Sequence, residues 1–395
     1  MVIYIDKTIA EHGEFTEQEE TMFTKLACAH KDGNCFLCGH TLSFDRLKKE
    51  IPVYRRGIDN NHAEIMPLFS EVETLIVITY GEKPALPEVV ETKLNALIAK
   101  HDDAEEKVNY VRVISVEQAT DYRLNEQSIF LCESTNDCAF YKLLAHRYLH
   151  SIRDKIRGVS LSLKDENGGG QMTFQQLEKC VKTEHHLTVC ITDSDKKHGT
   201  SQMYVNEPGI GKTAGFLKAA ETALNDDGLS NLFELHCLDV HEVENLIPFS
   251  LLEELKITDA NGRDRGITYL RMLQSKKDDL GDKYPEVLLC YDIKKGININ
   301  DLRKKSEHPQ FNKKPLLAYW EEIISIVHDE SLPGVANDAL VLSIERMKQQ
   351  DTSGNERILN IALDDHLVDY WNTIGKKVFS WGVAHKPRPT NPSHC

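Results

Sequence analysis

Three short stretches hold acidic residues at spacings that could do chemistry. Glu133 and Asp137 sit in "CESTND", Asp193 and Asp195 in "ITDSDKKH", and Glu242 and Glu244 in "HEVENL". Each stretch follows an apolar run: "SIFLC" (128–132), "HLTVCIT" (186–192) and "FELHCLDV" (233–240). Carboxylates brought together repel one another and must take up protons or cations. A site made of oxygen ligands suits Mg²⁺ or Mn²⁺. One or two such ions position and activate water and stabilise both oxygens of a phosphoryl displacement. Taken singly, each of these acids also reads as an ordinary surface residue of a loop.

The elements that must position them follow from the hydrophobic pattern. Strand-like runs "TLIVITY" (74–80) and "YVRVISV" (110–116) flank a helical segment from Pro87 to about Lys100. Alternation continues through "SIFLC", the helical "DCAFYKLLAHRYLHSI" (137–152), the strand "GVSLSL" (158–163), the turn "NGGG" (167–170) and the helical "MTFQQLEKCVKTE" (172–184). Strands alternating with helices predict an α/β fold with a mainly parallel sheet. Residues just past the carboxyl ends of such strands gather at one edge, where ligands bind. Residues 1–70 show no clear pattern, "EVENLIPFSLLEEL" (242–255) reads as one helix, and from about 256 helical segments dominate. The expected division is an N-terminal α/β region (1–126), a catalytic domain (127–255) and a helical C-terminal appendage (256–395).

The ordered set "IFLCESTNDCAFYKLL", "GGG", "LTVCITDSDKKH" and "HEVENLIP" resembles the Toprim domain, a Rossmann-like parallel sheet, over about residues 127–250. "VEN" (243–245) is similar to an element of the branch that contains the OLD (overcoming lysogenisation defect) nucleases and stand-alone phage-defence effectors. The resemblance implies a Toprim-type metal-dependent endonuclease. Glu133, Asp193 and Asp195 would be catalytic, and Glu133, Asp137, Asp193, Asp195 and Glu244 would hold one or two Mg²⁺ or Mn²⁺ ions. Glu242 stands as the spare candidate. One departure matters: the family's glycine after the first Glu is Ser134 here, which leaves a non-catalytic Toprim-like scaffold or partner-binding subunit as an alternative.

Two further motifs compete for attention. "NEPGIGKT" (206–213) has Gly209, Gly211, Lys212 and Thr213 of a phosphate-binding loop, but Asn206 replaces its first glycine. A nucleotide-binding switch is therefore a third reading; in the nuclease reading, Lys196, Lys197 and Lys212 are phosphate contacts. "CAHKDGNCFLCGH" offers Cys28, Cys35, Cys38 and His40 as ligands of a Zn²⁺ knuckle, with reduced free thiols as the alternative.

Composition bounds the partners. The net charge of −15 excludes a protein that coats nucleic acid through overall basicity. A DNA or RNA substrate would need a local basic surface, metal ions or a partner, and a partner ATPase is expected in the absence of an ATPase domain. A homo-oligomer is compatible with the sequence. No apolar run approaches a membrane span and the N-terminus lacks a leader pattern, so a cytoplasmic protein without membrane contact is expected.

Overall fold

Runs of branched apolar residues that are buried on both faces become central strands of parallel sheets, because helices cover them from either side. The computed structural model describes all residues except 56–57, 59, 61, 101–109, 197–211, 256–264, 308–313, 328–330, 351–353, 355 and 388–395. Among the described residues, β1 (Val2–Ile5), β2 (Phe36–Gly39), β3 (Leu75–Thr79) and β4 (Val111–Ser115) form a parallel sheet in the order β2-β1-β3-β4. A second set contains β5 (Ser128–Cys132), β6 (Val159–Leu161), β7 (Leu163–Asn167), β8 (Thr188–Thr192) and β9 (Phe233–Cys237). Four of these form a parallel sheet in the order β7-β5-β8-β9. The two sheets thus share one winding order. In the second, the order reverses between β5 and β8, and a crevice opens at such a switch point.

The predicted strand 158–163 divides at Ser162. Its first part, β6, pairs antiparallel with β12 (Val383–His385), while the sheet strand is the more polar β7. Edge position explains the polarity, since β7 has only β5 beside it. The N-terminal segment, patternless by eye, supplies β1 and β2 in four-residue pieces too short to register as periodic.

The C-terminal region is mainly helical, with one antiparallel pair, β10 (Gly296–Asn298) and β11 (Ser331–Pro333). It is no appendage. Its last helix, Val368–Gly382, lies on the helix Thr135–Ile152 that follows β5, with Trp371 edge-on to Phe140 at 6.0 Å. Gly375 permits this approach, because a Cβ there would stand 2.7 Å from the Leu144 carbonyl oxygen. Trp371 Nε1 donates to the Leu246 carbonyl at 2.8 Å. Beyond this helix, β12 reaches the first sheet, where the His385 N–H donates to the Cys35 carbonyl at 3.0 Å.

The edges β4 and β9 face each other across a buried charge cluster. Arg112 of β4 donates to the Phe233 carbonyl at 2.7 Å and lies 3.5 Å from Glu234 of β9. Glu234 also accepts from Lys377 and, at 2.8 Å, from Trp381 Nε1, both on the last helix. One carboxylate therefore ties together two sheets and the C-terminal helix.

Candidate active site

Glu133 directly follows β5, and Asp193 directly follows β8, so the switch point brings these two acids side by side. The Thr192 hydroxyl donates to Glu133 Oε1 at 2.9 Å. The glycine turn after β7 holds the backbone of the same residue: Gly169 and Gly170 N–H groups donate to the Glu133 carbonyl at 3.2 and 3.3 Å. Both glycines have left-handed φ, and Gly168 sits where a Cβ would come within 2.2 Å of Thr173 Oγ1. Thr173 is fully buried and has nowhere to go. Gly168→Ala is therefore expected to cost about 1–3 kcal/mol and loosen Glu133, measurable as a lower denaturation midpoint.

Ser134, the departure from the family glycine, has a local role. It is the N-cap of the helix Thr135–Ile152 in a reciprocal capping box with Asp137. Asp137 accepts from the Ser134 N–H at 2.9 Å and from its hydroxyl at 2.8 Å. Both Asp137 oxygens thus have a partner within the cap.

Asp195 adopts a left-handed backbone, φ 53°, which an aspartate tolerates better than most residues. Its N–H donates to the His241 carbonyl at 3.0 Å, and the Ser194 hydroxyl donates to the Val240 carbonyl at 2.6 Å. These bonds bind the loop after β8 to the loop after β9. That second loop enters a short 3₁₀ turn, Val243–Leu246, before Pro248 and the helix Phe249–Leu255. The predicted continuous helix is thereby broken, and Glu242 and Glu244 are turned toward the switch point.

The residue that sequence reasoning missed is Lys294. Its Nζ lies 3.0 Å from Glu242 Oε2 and 3.0 Å from Glu244 Oε1. It is delivered by a tight turn in which the Asp292 carboxylate accepts from the Lys295 N–H at 2.7 Å. Asn245 clamps the approach, donating to the Leu288 and Tyr291 carbonyls at 2.7 Å each. Nothing in the periodicity of "YDIKKGININ" links it to a site built from strand ends.

The electrostatics mark these groups as one cluster. Burial, helped by the charges of Asp195 and Asp137 and opposed by the Thr192 hydrogen bond, lifts the Glu133 carboxyl from 4.5 to about 7. Burial and then Glu242 lift Glu244 to about 7, against the pull of Lys294. Asp193 is raised well above the ordinary carboxylate range by its low-dielectric surroundings and by Asp137, Glu133, Glu244 and Glu242. Asp137 is raised by burial although its bonds to Ser134 oppose this. Burial would lower the Lys294 ammonium, but Glu244 and Glu242 outweigh it and hold it cationic. Glu244 is 2% exposed, and its Oε2 is buried without a hydrogen-bond partner. An orphaned carboxylate oxygen beside an acid-crowded aspartate fits a bound divalent cation.

Other expectations fare differently. Lys196 is paired with Asp239 at 2.7 Å. Lys197 and positions 206–211 of "NEPGIGKT" lie outside the described residues, and Lys212 opens the helix Lys212–Asp226. The zinc knuckle is not assembled. Cys28 is exposed on a helix, Cys35 is buried just before β2 and Cys38 within it, and no three of Cys28, Cys35, Cys38 and His40 bring ligand atoms within 4.8 Å of one another. Burial pushes the Cys35 thiol up to about 12, away from the thiolate a metal needs. Among the described residues, three potential ligands with atoms within 4.8 Å of one another occur at His241, Glu242 and Asp292. No three of Glu133, Asp193, Asp195 and Glu244 meet that spacing; Glu133 and Glu244 act on the charge of Asp193, and Asp195 on that of Glu133.

No protein-family model matches the chain, and neither a curated protein nor a solved structure shows significant similarity to it. Among the described residues, no helix is long and apolar enough to cross a membrane.

Proposed function

We propose that the chain is a metal-dependent nuclease of Toprim type that hydrolyses phosphodiester bonds in DNA or RNA. The observation that carries this reading is Asp193, set at the switch point with Glu133, Asp137, Glu242 and Glu244 all acting on its carboxyl. Glu133, Asp193, Asp195 and Glu244 would hold Mg²⁺ or Mn²⁺, which when bound supplies Lewis-acid activation of water and neutralises phosphoryl charge. Glu133, with a carboxyl raised to about 7, is poised to take or return a proton near neutral pH. Thr192 fixes one of its oxygens, leaving the other to face the reacting group. Lys294 brings a cation to meet phosphoryl oxygens that a cluster of acids would otherwise repel. An effector role in phage defence, held in check by a partner ATPase, extends this reading along the family resemblance.

A second reading has its own support. Lys294 already neutralises Glu242 and Glu244, as an internal counter-ion would in a non-catalytic scaffold. Purified protein with Mg²⁺ or Mn²⁺, offered plasmid DNA and total RNA beside Glu133→Ala, separates the two. Cleavage by the wild type, reduced about 10²–10⁴-fold in the variant, is the expected result. Equal cleavage by both would remove Glu133 from the site, and no cleavage by either would favour the scaffold.

A further inference from the structure

Behind the acidic edge, the loop after β9 meets the turn that delivers Lys294, and there three side chains of mixed chemistry converge. His241, Glu242 and Asp292 each offer a ligand atom, all within 4.8 Å of one another. His241 is 4% exposed, and its Nδ1 is buried without a hydrogen-bond partner. Glu242 Oε1 is likewise buried and unpartnered, its other oxygen being taken by Lys294. Asp292 uses Oδ1 to hold the Lys295 N–H, and Oδ2 faces His241 Nε2.

The separation is informative. His241 Nε2 and Asp292 Oδ2 stand 3.7 Å apart, within ion-pair reach but longer than a well-formed hydrogen bond. Two ligands of one tetrahedral ion, each at about 2.1 Å, lie about 3.4 Å apart. The Glu242 oxygen, buried with no hydrogen bond beside this loosely spaced pair, is costly unless something joins it to them. A cavity of about 330 Å³, lined by His241 and Asp292 though not by Glu242, adjoins two of the three ligands and leaves room for bound water.

We propose that His241, Glu242 and Asp292 bind a zinc-class transition-metal ion, distinct from the Mg²⁺ or Mn²⁺ of the carboxylate site. One imidazole and two carboxylates suit Zn²⁺ and disfavour Mg²⁺ and Ca²⁺, which take oxygen ligands. The ion would brace the turn that bears Glu242 and Glu244 against the segment that bears Lys294. Its role is to fix the C-terminal region on the catalytic sheet, and it stands whether or not the chain is a nuclease.

The test uses the full-length, metal-stripped protein, with Zn²⁺ titrated against a chromophoric chelator and Co²⁺ as a spectroscopic substitute. Wild type and Asp193→Asn are expected to bind one equivalent of Zn²⁺ that millimolar Mg²⁺ does not displace. His241→Gln and Asp292→Asn should weaken it at least tenfold, and the Co²⁺ absorption bands should change in His241→Gln. Zn²⁺ should also raise the melting temperature of the wild type but not of Asp292→Asn. Asp292 is only part-buried and its asparagine still accepts from Lys295, so this variant decides the matter should His241→Gln fail to fold. Three results would overturn the proposal: no Zn²⁺ uptake by the wild type, undiminished uptake by Asp292→Asn, or loss of uptake in Asp193→Asn.

Discussion

Asp193→Asn is expected to cut cleavage steeply and yet make the metal-free protein more stable. In the absence of a cation, Asp193 is crowded by four other carboxylates and its ionised form is held at a cost. Asparagine keeps the shape, discards the charge and relieves its neighbours. The gain should appear at pH 8 as a higher melting temperature without metal. Activity should fall by roughly 10³-fold, the several kcal/mol of charge stabilisation that a lost cation represents. Added Mg²⁺ should raise the melting temperature of the wild type and do little for the variant.

The same cluster sets a pH dependence with a definite sign. Glu133 and Glu244 are raised from 4.5 to about 7, so the folded chain keeps protons that the unfolded chain releases. Their stabilising contribution is complete below about pH 4.5 and is lost as the pH rises through 7. Metal-free protein should therefore melt higher at pH 6 than at pH 8, and saturating Mg²⁺ should reduce the difference. A variant Asp193→Asn that melted lower than the wild type and still cut would sink the assignment.

Glu234→Ala should produce the largest loss of stability, about 3–5 kcal/mol, because it strands the buried Arg112 and removes the partner of the part-buried Lys377. The Arg112 side chain is 1% exposed and that of Lys377 16%, and Glu234 is the carboxylate that faces both. Burial would raise the Glu234 carboxyl, but Lys377 and Arg112 hold it down at about 2. This depressed group contributes stability above its unfolded value near 4.5 and loses it as the pH falls through about 2. Glu234→Gln keeps a hydrogen-bond acceptor for Trp381 and should lose less than alanine. Chemical denaturation at pH 7 measures both variants; losses under 1 kcal/mol for alanine would mean that the cluster does not tie the sheets together.

Legibility in the sequence followed burial. β3, β5 and β8 are buried at every position, so their runs of Ile, Val, Leu and Cys announce strands without ambiguity. The acids that end two of them could therefore be placed at a sheet edge by counting. Of β7, "LKDEN", the hydrophobic pattern takes in only Leu163 as strand, because an edge strand has one neighbour and can keep polar side chains. The spacing Cys35-x-x-Cys38 suggests a knuckle only while its backbone is unknown, and here the pair runs into a buried strand with no cluster of ligands around it among the described residues. Ser134 looks like a defect until its capping bonds to Asp137 are seen.

The sequence by itself determined that strands and helices alternate, that a parallel sheet results, and that Glu133 and Asp193 lie just past strand ends. Local periodicity and turn chemistry are enough for those statements. Only the tertiary structure decided that the C-terminal region returns to the sheet, placing Lys294 on Glu242 and Glu244 and Lys377 on Glu234. It alone brought His241, Glu242 and Asp292 together. Such pairings join residues far apart in the chain, and their energies come from burial and charge in the folded state. No short window of sequence contains either.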